Sequence, residues 1–380
     1  MRYKHSPYNE HLVVSRRTHR GLSVERLDVI LCSIMTRART KLLTVIILVG
    51  VVFCSQVACL LPRMALTSKN PSLVELSPIN VDPKRPERTE FGVLNLMSAF
   101  HLSSNDERFG GLSGLSIGSD GRLYAISDNG YWLSAQMVRN EVDALINLVD
   151  WQIAPLLTPN GTAVSGNLRD AEALTRAKDR SFLVAFEGVH RIWRYDAPPH
   201  TFQSIPTDVQ ISPETARAPA NGGMEGIASL PDGRLLILTE EFENPDGSFK
   251  GWLIEGQKAV ELSYIPARGF HVTDCAALDN GDVLVLERRY VPLGILSARI
   301  TLVEGSGLRA GAKLVGKELL KIEQPLAAEN YEGIAVERTS KGTMIFIVSD
   351  DNYSSFQQTL LLQFLLPDAA NEPLTSHTGP

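Results

Sequence analysis

Cysteine is scarce in this 380-residue chain. There are four, Cys32, Cys54, Cys59 and Cys275, and only Cys275 lies beyond residue 61. No disulfide can therefore form within the body of the protein, and its fold must rest on its core. No His/Cys cluster stands at zinc-ligand spacing, which argues against a zinc centre. Apolar runs of membrane-spanning length are absent apart from one, so a multi-span membrane protein is excluded. No long helical periodicity follows residue 90. Basic charge is lacking as well. The first 61 residues hold nine Lys/Arg against three acids, leaving 28 against 40 in the remainder, a net of −12. Nucleic acid is not expected as a partner, because phosphate backbones are bound by a Lys/Arg surplus. A cation suits such a body.

The single apolar run is Leu42 to Leu61, preceded by Arg37, Arg39 and Lys41. A basic flank before such a stretch is the pattern of a secretory signal or a membrane anchor. Its flanks leave open a cleaved signal, a retained anchor, or a lipoprotein site at Val57-Ala58-Cys59. Export to the periplasm or the extracellular space is expected either way, with membrane contact only through residues 42–61. Residues 1–34 read as a basic extension or an upstream mis-start, and 35–61 as the signal or anchor. Residues 62–90, with five prolines, read as a linker, and 367–380 as a loose tail.

Residues 91–366 repeat one pattern five times: a polar lead residue, a short apolar strand, a tight turn, a second apolar strand and an acid. The copies are LSGLSIGSDGRLYAISDNG, AEALTRAKDRSFLVAFEG, MEGIASLPDGRLLILTEE, TDCAALDNGDVLVLER and YEGIAVERTSKGTMIFIVSDD. The lead residues are Ser113, Glu172, Glu225, Asp274 and Glu332, separated by 59, 53, 49 and 58 positions. Such a period fits four strands with their loops, the unit of a β-propeller. Asp120-Gly121, Asp232-Gly233 and Asn280-Gly281 are hairpin dipeptides. A β-sandwich would not repeat one hairpin so regularly. The expectation is an all-β propeller of five counted blades, with loop segments leaving room for a sixth. Phe91–Leu102 has no hairpin of its own and is expected to close the last blade, abolishing the sheet edge.

A hairpin returns its second strand to where the first began. The second acids, Asp128, Glu187, Glu240, Glu287 and Asp350, are therefore expected beside the lead acids at one end of the blades. Their distances from the leads are 15, 15, 15, 13 and 18 positions. Glu172, Glu225, Asp274 and Glu332 would form an inner ring, with the second acids behind it. Clustered carboxylates repel one another unless a cation neutralises them, and hard oxygen donors are what Ca2+ takes. All nine acids are candidate metal ligands. Arg169, Arg268 and Tyr331 are candidates for holding an anionic substrate, Arg288 for charge stabilisation and His271 for a general acid. Gly114-Leu115-Ser116-Ile117-Gly118 spells the serine-hydrolase elbow, but it falls inside a hairpin strand rather than between strand and helix. Ser113 is a further nucleophile candidate without an evident partner.

The stretches Phe109–Gly130, Asp170–Asp196, Gly223–Glu241, Thr273–Tyr290 and Asn330–Phe364 together resemble the esterase-like phytase family of bacterial exported proteins. The resemblance implies a propeller fold, export, and calcium-assisted hydrolysis of phosphate or carboxylic esters on a small anionic substrate. A non-catalytic, calcium-stabilised binding propeller and a propeller lactonase are the alternatives. A monomer is expected.

Overall fold

A computed structural model of the chain describes residues 73–291 and 295–368. The apolar run at 42–61, the flanking residues 1–34 and most of the C-terminal tail lie outside them. Among the described residues no helix is long and apolar enough to cross a membrane.

Alternating apolar positions and glycine turns fold into five mainly antiparallel sheets, four of them from a compact stretch of sequence and the fifth from both ends of the body. Blade 1 comprises Leu112–Ile117, Arg122–Ser127, Tyr131–Arg139 and Leu145–Pro155. Blade 2 comprises Ala171–Arg176, Phe182–Phe186, Arg191–Tyr195 and the short Thr207–Val209. Blade 3 comprises Met224–Ser229, Leu235–Glu243, Phe249–Glu255 and Lys258–Ile265, with Lys313–Val315 added in parallel at its rim. Blade 4 comprises His271–Ala277, Val283–Val291, Ile295–Val303 and Lys317–Glu323. Blade 5 takes Tyr331–Thr339, Gly342–Ser349 and Thr359–Pro367 from the C-terminal end and Leu94–Ser103 from the N-terminal side.

The first strands of the blades neighbour one another in the order 1-2-3-4-5-1, so the ring is closed. Closure is made by the expected exchange: Leu361 pairs with Phe100 and Leu362 with Ala99. This ties the two ends of the body into one sheet and leaves no free inner edge. The linker expectation for 62–90 meets a different result in its second half. Glu75–Pro78 adds a further strand to blade 5, and Val81 and Asp82 are buried, Asp82 between Arg85 and Arg88. Prolines there shape turns of the folded body rather than a free tether.

The core consists of five separate apolar clusters, one in each gap between neighbouring blades. Each inner strand is buried on both sides, which is why these segments read as near-continuous apolar runs. Glycine is required where blades approach most closely. A Cβ on Gly114 would stand 2.8 Å from the backbone nitrogen of Leu174 in the next blade.

One irregularity recurs and sets up the site. In every blade the inner strand skips one residue of its pairing. Leu112 pairs with Ser127 and Gly114 with Ile126, which leaves Ser113 out of register. The same break isolates Glu172, Glu225, Thr273 and Glu332 in blades 2 to 5. A β-bulge re-aims its side chain, and here five bulges lie at the same end of five blades.

Candidate metal centre

The bulges give a true register for the site. The bulged positions are Ser113, Glu172, Glu225, Thr273 and Glu332, and the second-strand residues one step beyond the partner of the residue before each bulge are Asp128, Glu187, Glu240, Arg288 and Asp350. Blade 4 therefore departs from the sequence-based assignment by one residue on each strand. Asp274 and Glu287 are not members of the rings; Thr273 and Arg288 are. The separation from Thr273 to Arg288 is 15 positions, the same as in blades 1 to 3, whereas Asp274 to Glu287 is 13. The spacing was the correct guide, and the residue type was misleading.

The displaced acids have structural work. Asp274 occupies the position that is Gly114, Gly226 or Gly333 in other blades and reaches the neighbouring inner strand. It is fully buried, and its Oδ2 accepts from the Ile334 amide at 2.8 Å while Oδ1 accepts from the Cys275 amide at 2.8 Å. Burial pushes its carboxyl well above the usual range, against the pull of those amides. Replacing Asp274 by Ala leaves two buried donors unmet and is expected to cost about 2–4 kcal/mol. Thermal unfolding of Asp274→Ala checks this; its response to added Ca2+ should match that of the parent protein, and a lost response would return Asp274 to the ligand set. Glu287 faces the other way, between blades 3 and 4, where it accepts from the Tyr264 hydroxyl of blade 3 and pairs with Arg299 Nε of its own blade at 2.8 Å.

The hydroxyl bulges are also accounted for. Ser113 Oγ donates to the carbonyl of Ala171, and Thr273 Oγ1 to the carbonyl of Tyr331 at 3.1 Å. Each ties its blade to the residue just before the next blade's bulge. Ser113 is thus a cross-blade hydrogen-bond donor, and Ser116 lies within the strand Leu112–Ile117, so the elbow motif has no elbow. Tyr331 is likewise a core residue. It is completely buried with its hydroxyl on the carbonyl of Ala327 at 2.7 Å, which removes it from the substrate-contacting set.

What remains is an asymmetric acidic centre. On the side of blades 3 to 5, Arg288 is inserted among the carboxylates. Its Nη2 donates to Glu240 at 2.9 Å and its Nη1 to Glu332 and to Asn330 Oδ1, the last at 2.5 Å. Burial works against the guanidinium charge, but Glu332, Glu240 and Glu225 more than offset it and raise its pKa. With its donors engaged in this way, Arg288 is an internal counter-charge rather than a free anion-binding group.

On the side of blades 1 and 2 the balance differs. Asp170, Glu172 and Glu187 bring carboxylate oxygens within 4.8 Å of one another. Glu187 is fixed by the Gly222 amide at 2.8 Å and the Gly223 amide on the same oxygen, a backbone arrangement that a side chain on Gly223 would crowd. Burial pushes the Glu172 carboxyl well above its ordinary range, with Asp170, Glu187, Glu332 and Asp128 adding repulsion. Glu225 is raised in the same way, by burial and then by Glu172 and Glu187. Burial and the nearby Asp170 carry Asp128 to about 6, and its buried Oδ1 has no hydrogen-bond partner. Burial together with Glu332 and Asp128 carries Asp350 to about 8, and burial carries Glu332 to about 7 in spite of Arg288. Asp170, two residues ahead of the bulge, was not singled out from the sequence. Its signal is position: it stands where the other blades carry Gly111, Gly223, His271 and Asn330.

The donor set is all oxygen, crowded, partly orphaned and short of bases, and it fits a hard cation such as Ca2+. Asp170, Glu172 and Glu187 would hold it, with Asp128 and Glu225 adjoining. The other candidates lie at the same end but farther out. His271 is one-third exposed, with Nδ1 3.6 Å from Glu241 Oε1 and its ring against Phe249. Arg169 is exposed and close enough to Asp128 to oppose the rise in its pKa. Arg268 is exposed, with no side-chain hydrogen bond or ion pair among the described residues.

A family model described as phytase-like, "esterase-like activity of phytase", matches residues 107–353, which contain all five bulges and every acid of the centre. The chain belongs to the phytase-like family. No curated protein matches this phytase-like chain. Among solved structures it is similar to a putative gluconolactonase at 13% identity and TM-score 0.37, covering 77% of this chain and 89% of that one. It is similar to virginiamycin B lyase from Staphylococcus aureus at 11% identity and TM-score 0.37, covering 77% and 99%. It is also similar to a calcium structure of a Trichoderma reesei carbohydrate-active enzyme of family AA12, at 12% identity and TM-score 0.39, covering 77% and 95%. Likeness at this level carries no argument about what this phytase-like propeller binds or converts.

Proposed function

We propose that this phytase-like propeller is an exported, calcium-dependent hydrolase of phosphate or carboxylic esters. The observation that carries the reading is the convergence of Asp170, Glu172 and Glu187, with ligand oxygens within 4.8 Å of one another. Family membership supports the ester chemistry. The Leu42–Leu61 run behind its basic flank supports export.

Asp170, Glu172 and Glu187 would hold Ca2+, and the bound cation would neutralise charge on an anionic substrate and lower the pKa of a water. The chain's own groups supply the rest. Arg169 and Arg268, exposed at this end, attract and orient the anion. His271 stands at the rim beside Glu241, and donates a proton to the leaving oxygen. Arg288 opposes the rise in the pKa of Glu240 and Glu332 and holds both in place, which confines the cation to the side of blades 1 and 2.

The test is turnover of a panel of phosphomonoesters, carboxylic esters and lactones, with Ca2+ and with EDTA. The reading predicts Ca2+-dependent hydrolysis of an ester, abolished by EDTA and lowered about 100-fold in kcat/KM by Glu172→Gln. Calcium-dependent stability with no turnover would leave a binding propeller. Hydrolysis of lactones alone would make it a lactonase. Turnover indifferent to EDTA and to Glu172→Gln would end the proposal.

A further inference from the structure

The hairpin turns of the inner strands lie at the end of the propeller opposite the acids. A cavity of about 700 Å3 opens there. Three bases of blade 2, Arg176, Lys178 and Arg180, line it within five positions of sequence. None of the three has an ion pair or a side-chain hydrogen bond among the described residues. The acid within the same turn, Asp179, is turned out of the cavity: its Oδ2 accepts from Arg194 at 2.9 Å and its Oδ1 from the Ser181 amide at 3.1 Å. The other charges on the lining are largely settled. Arg338 pairs with Asp368 at 2.6 Å and Glu337 with Arg139, which leaves Asp279 as the one unpaired acid on the lining among the described residues. In a body of net charge −12 this is a local surplus of positive charge facing a concave, partly apolar wall.

The backbone adds an independent observation. In blades 1, 3 and 4 the hairpin turn carries a left-handed glycine: Gly121 at φ 76°, Gly233 at φ 93° and Gly281 at φ 92°. Their amides donate to the carbonyls of Gly118, Leu230 and Leu278. The same turn bond in blade 2 is made by Arg180, whose amide donates to the Ala177 carbonyl at 2.8 Å, and Arg180 sits at φ 72°. A left-handed backbone is unfavourable for any residue with a Cβ. Blade 2 thus holds an arginine in strain where its sister blades use the residue that costs nothing. Strain of this kind persists where a side chain has a use.

We infer that this mouth is a second binding site, specific for a small polyvalent anion bearing phosphate or carboxylate groups, held by Arg176, Lys178 and Arg180. Guanidinium forks match both groups in two-point contacts, and the cavity has room for a molecule of that size. The site is independent of the cation and of the ester chemistry at the other end.

Calorimetric titration of the full chain with inorganic pyrophosphate, and separately with citrate, tests it at pH 6 in buffer freed of metal over a chelating resin, with no soluble chelator present. One-site saturable binding of either is expected, weakened by added salt; which of the two binds assigns phosphate or carboxylate. Arg180→Gly should weaken that binding about tenfold while Tm stays level or rises, because the turn recovers its unstrained residue. Lys178→Gln should also weaken it, and Glu172→Gln should leave it unchanged. Absence of saturable binding of both anions would overturn the inference. So would equal affinity in Arg180→Gly, or a fall in its Tm, which would make the arginine a structural element of the turn.

Discussion

In the calcium-free protein, thermal stability should fall as pH rises from about 4 to about 8, and Ca2+ should restore it most at the upper end of that range. The sign follows from the raised carboxyl groups. Asp350 titrates at about 8 and Glu332 at about 7 in the folded state, against ordinary values of 3.8 and 4.5. Between those limits the folded protein holds protons that the unfolded chain has released, so each step up in pH favours unfolding. The penalty begins near the unfolded values and is complete only above the folded ones. One pKa unit corresponds to about 1.4 kcal/mol, so two nearly buried groups contribute on the order of 5 kcal/mol, discounted for their mutual coupling. For a body of this size that is on the order of 10 °C in Tm. A cation bound only by the folded state acts in the opposite direction, by about 4 kcal/mol at a thousand times its Kd. Melting curves at pH 5 and pH 8, with EDTA and with Ca2+, give the four values required. A flat pH response in EDTA, or a Ca2+ effect equal at both values, would contradict the repulsion on which the centre is built.

Arg288→Gln should be the most damaging single substitution in the ring, lowering stability by about 3–5 kcal/mol at pH 8. The variant leaves Glu240 and Glu332 facing each other in a nearly dry setting, with Asn330 no longer sharing their donor. The loss should shrink at pH 5, where Glu332 takes up its proton. It should also shrink in Arg288→Gln/Glu240→Gln, because one of the two stranded charges is gone; a double-mutant cycle measures that coupling. If the single variant melts with the parent protein at pH 8, the guanidinium is not the counter-charge of these acids.

The fold was largely legible in the sequence because its determinants are local. Paired apolar strands around Asp120-Gly121, Asp232-Gly233 and Asn280-Gly281 announce hairpins wherever they occur, and the orphan segment Phe91–Leu102 had one place to go once the ring was counted. Thr207–Val209 escaped notice because three residues carry no periodicity, and Glu75–Pro78 because its neighbouring prolines resemble a tether. The site was legible only in part, for a geometric reason. A bulge shifts which side chain faces the axis, and residue type does not reveal the shift. In blade 4 an aspartate beside Thr273 drew the assignment to Asp274, although the 15-residue spacing pointed to Thr273 and Arg288. Glu287 was misplaced for the same reason, and Arg288, the base that balances the ring, was read as a catalytic charge stabiliser. Asp170 was passed over because the other blades carry Gly111, Gly223, His271 and Asn330 at its position, so the acid does not recur and only its closeness to Glu172 and Glu187 marks it.

The central claim is that a hard cation is held by the acids of blades 1 and 2 and excluded by Arg288 from the rest of the ring. Diffraction from crystals grown in Ca2+, recorded at a wavelength where calcium scatters anomalously, tests this most directly. An anomalous peak within bonding distance of Asp170, Glu172 and Glu187 is the predicted result. A peak seated instead on Asp274 or Glu287, or no peak at this end of the propeller at all, would contradict it.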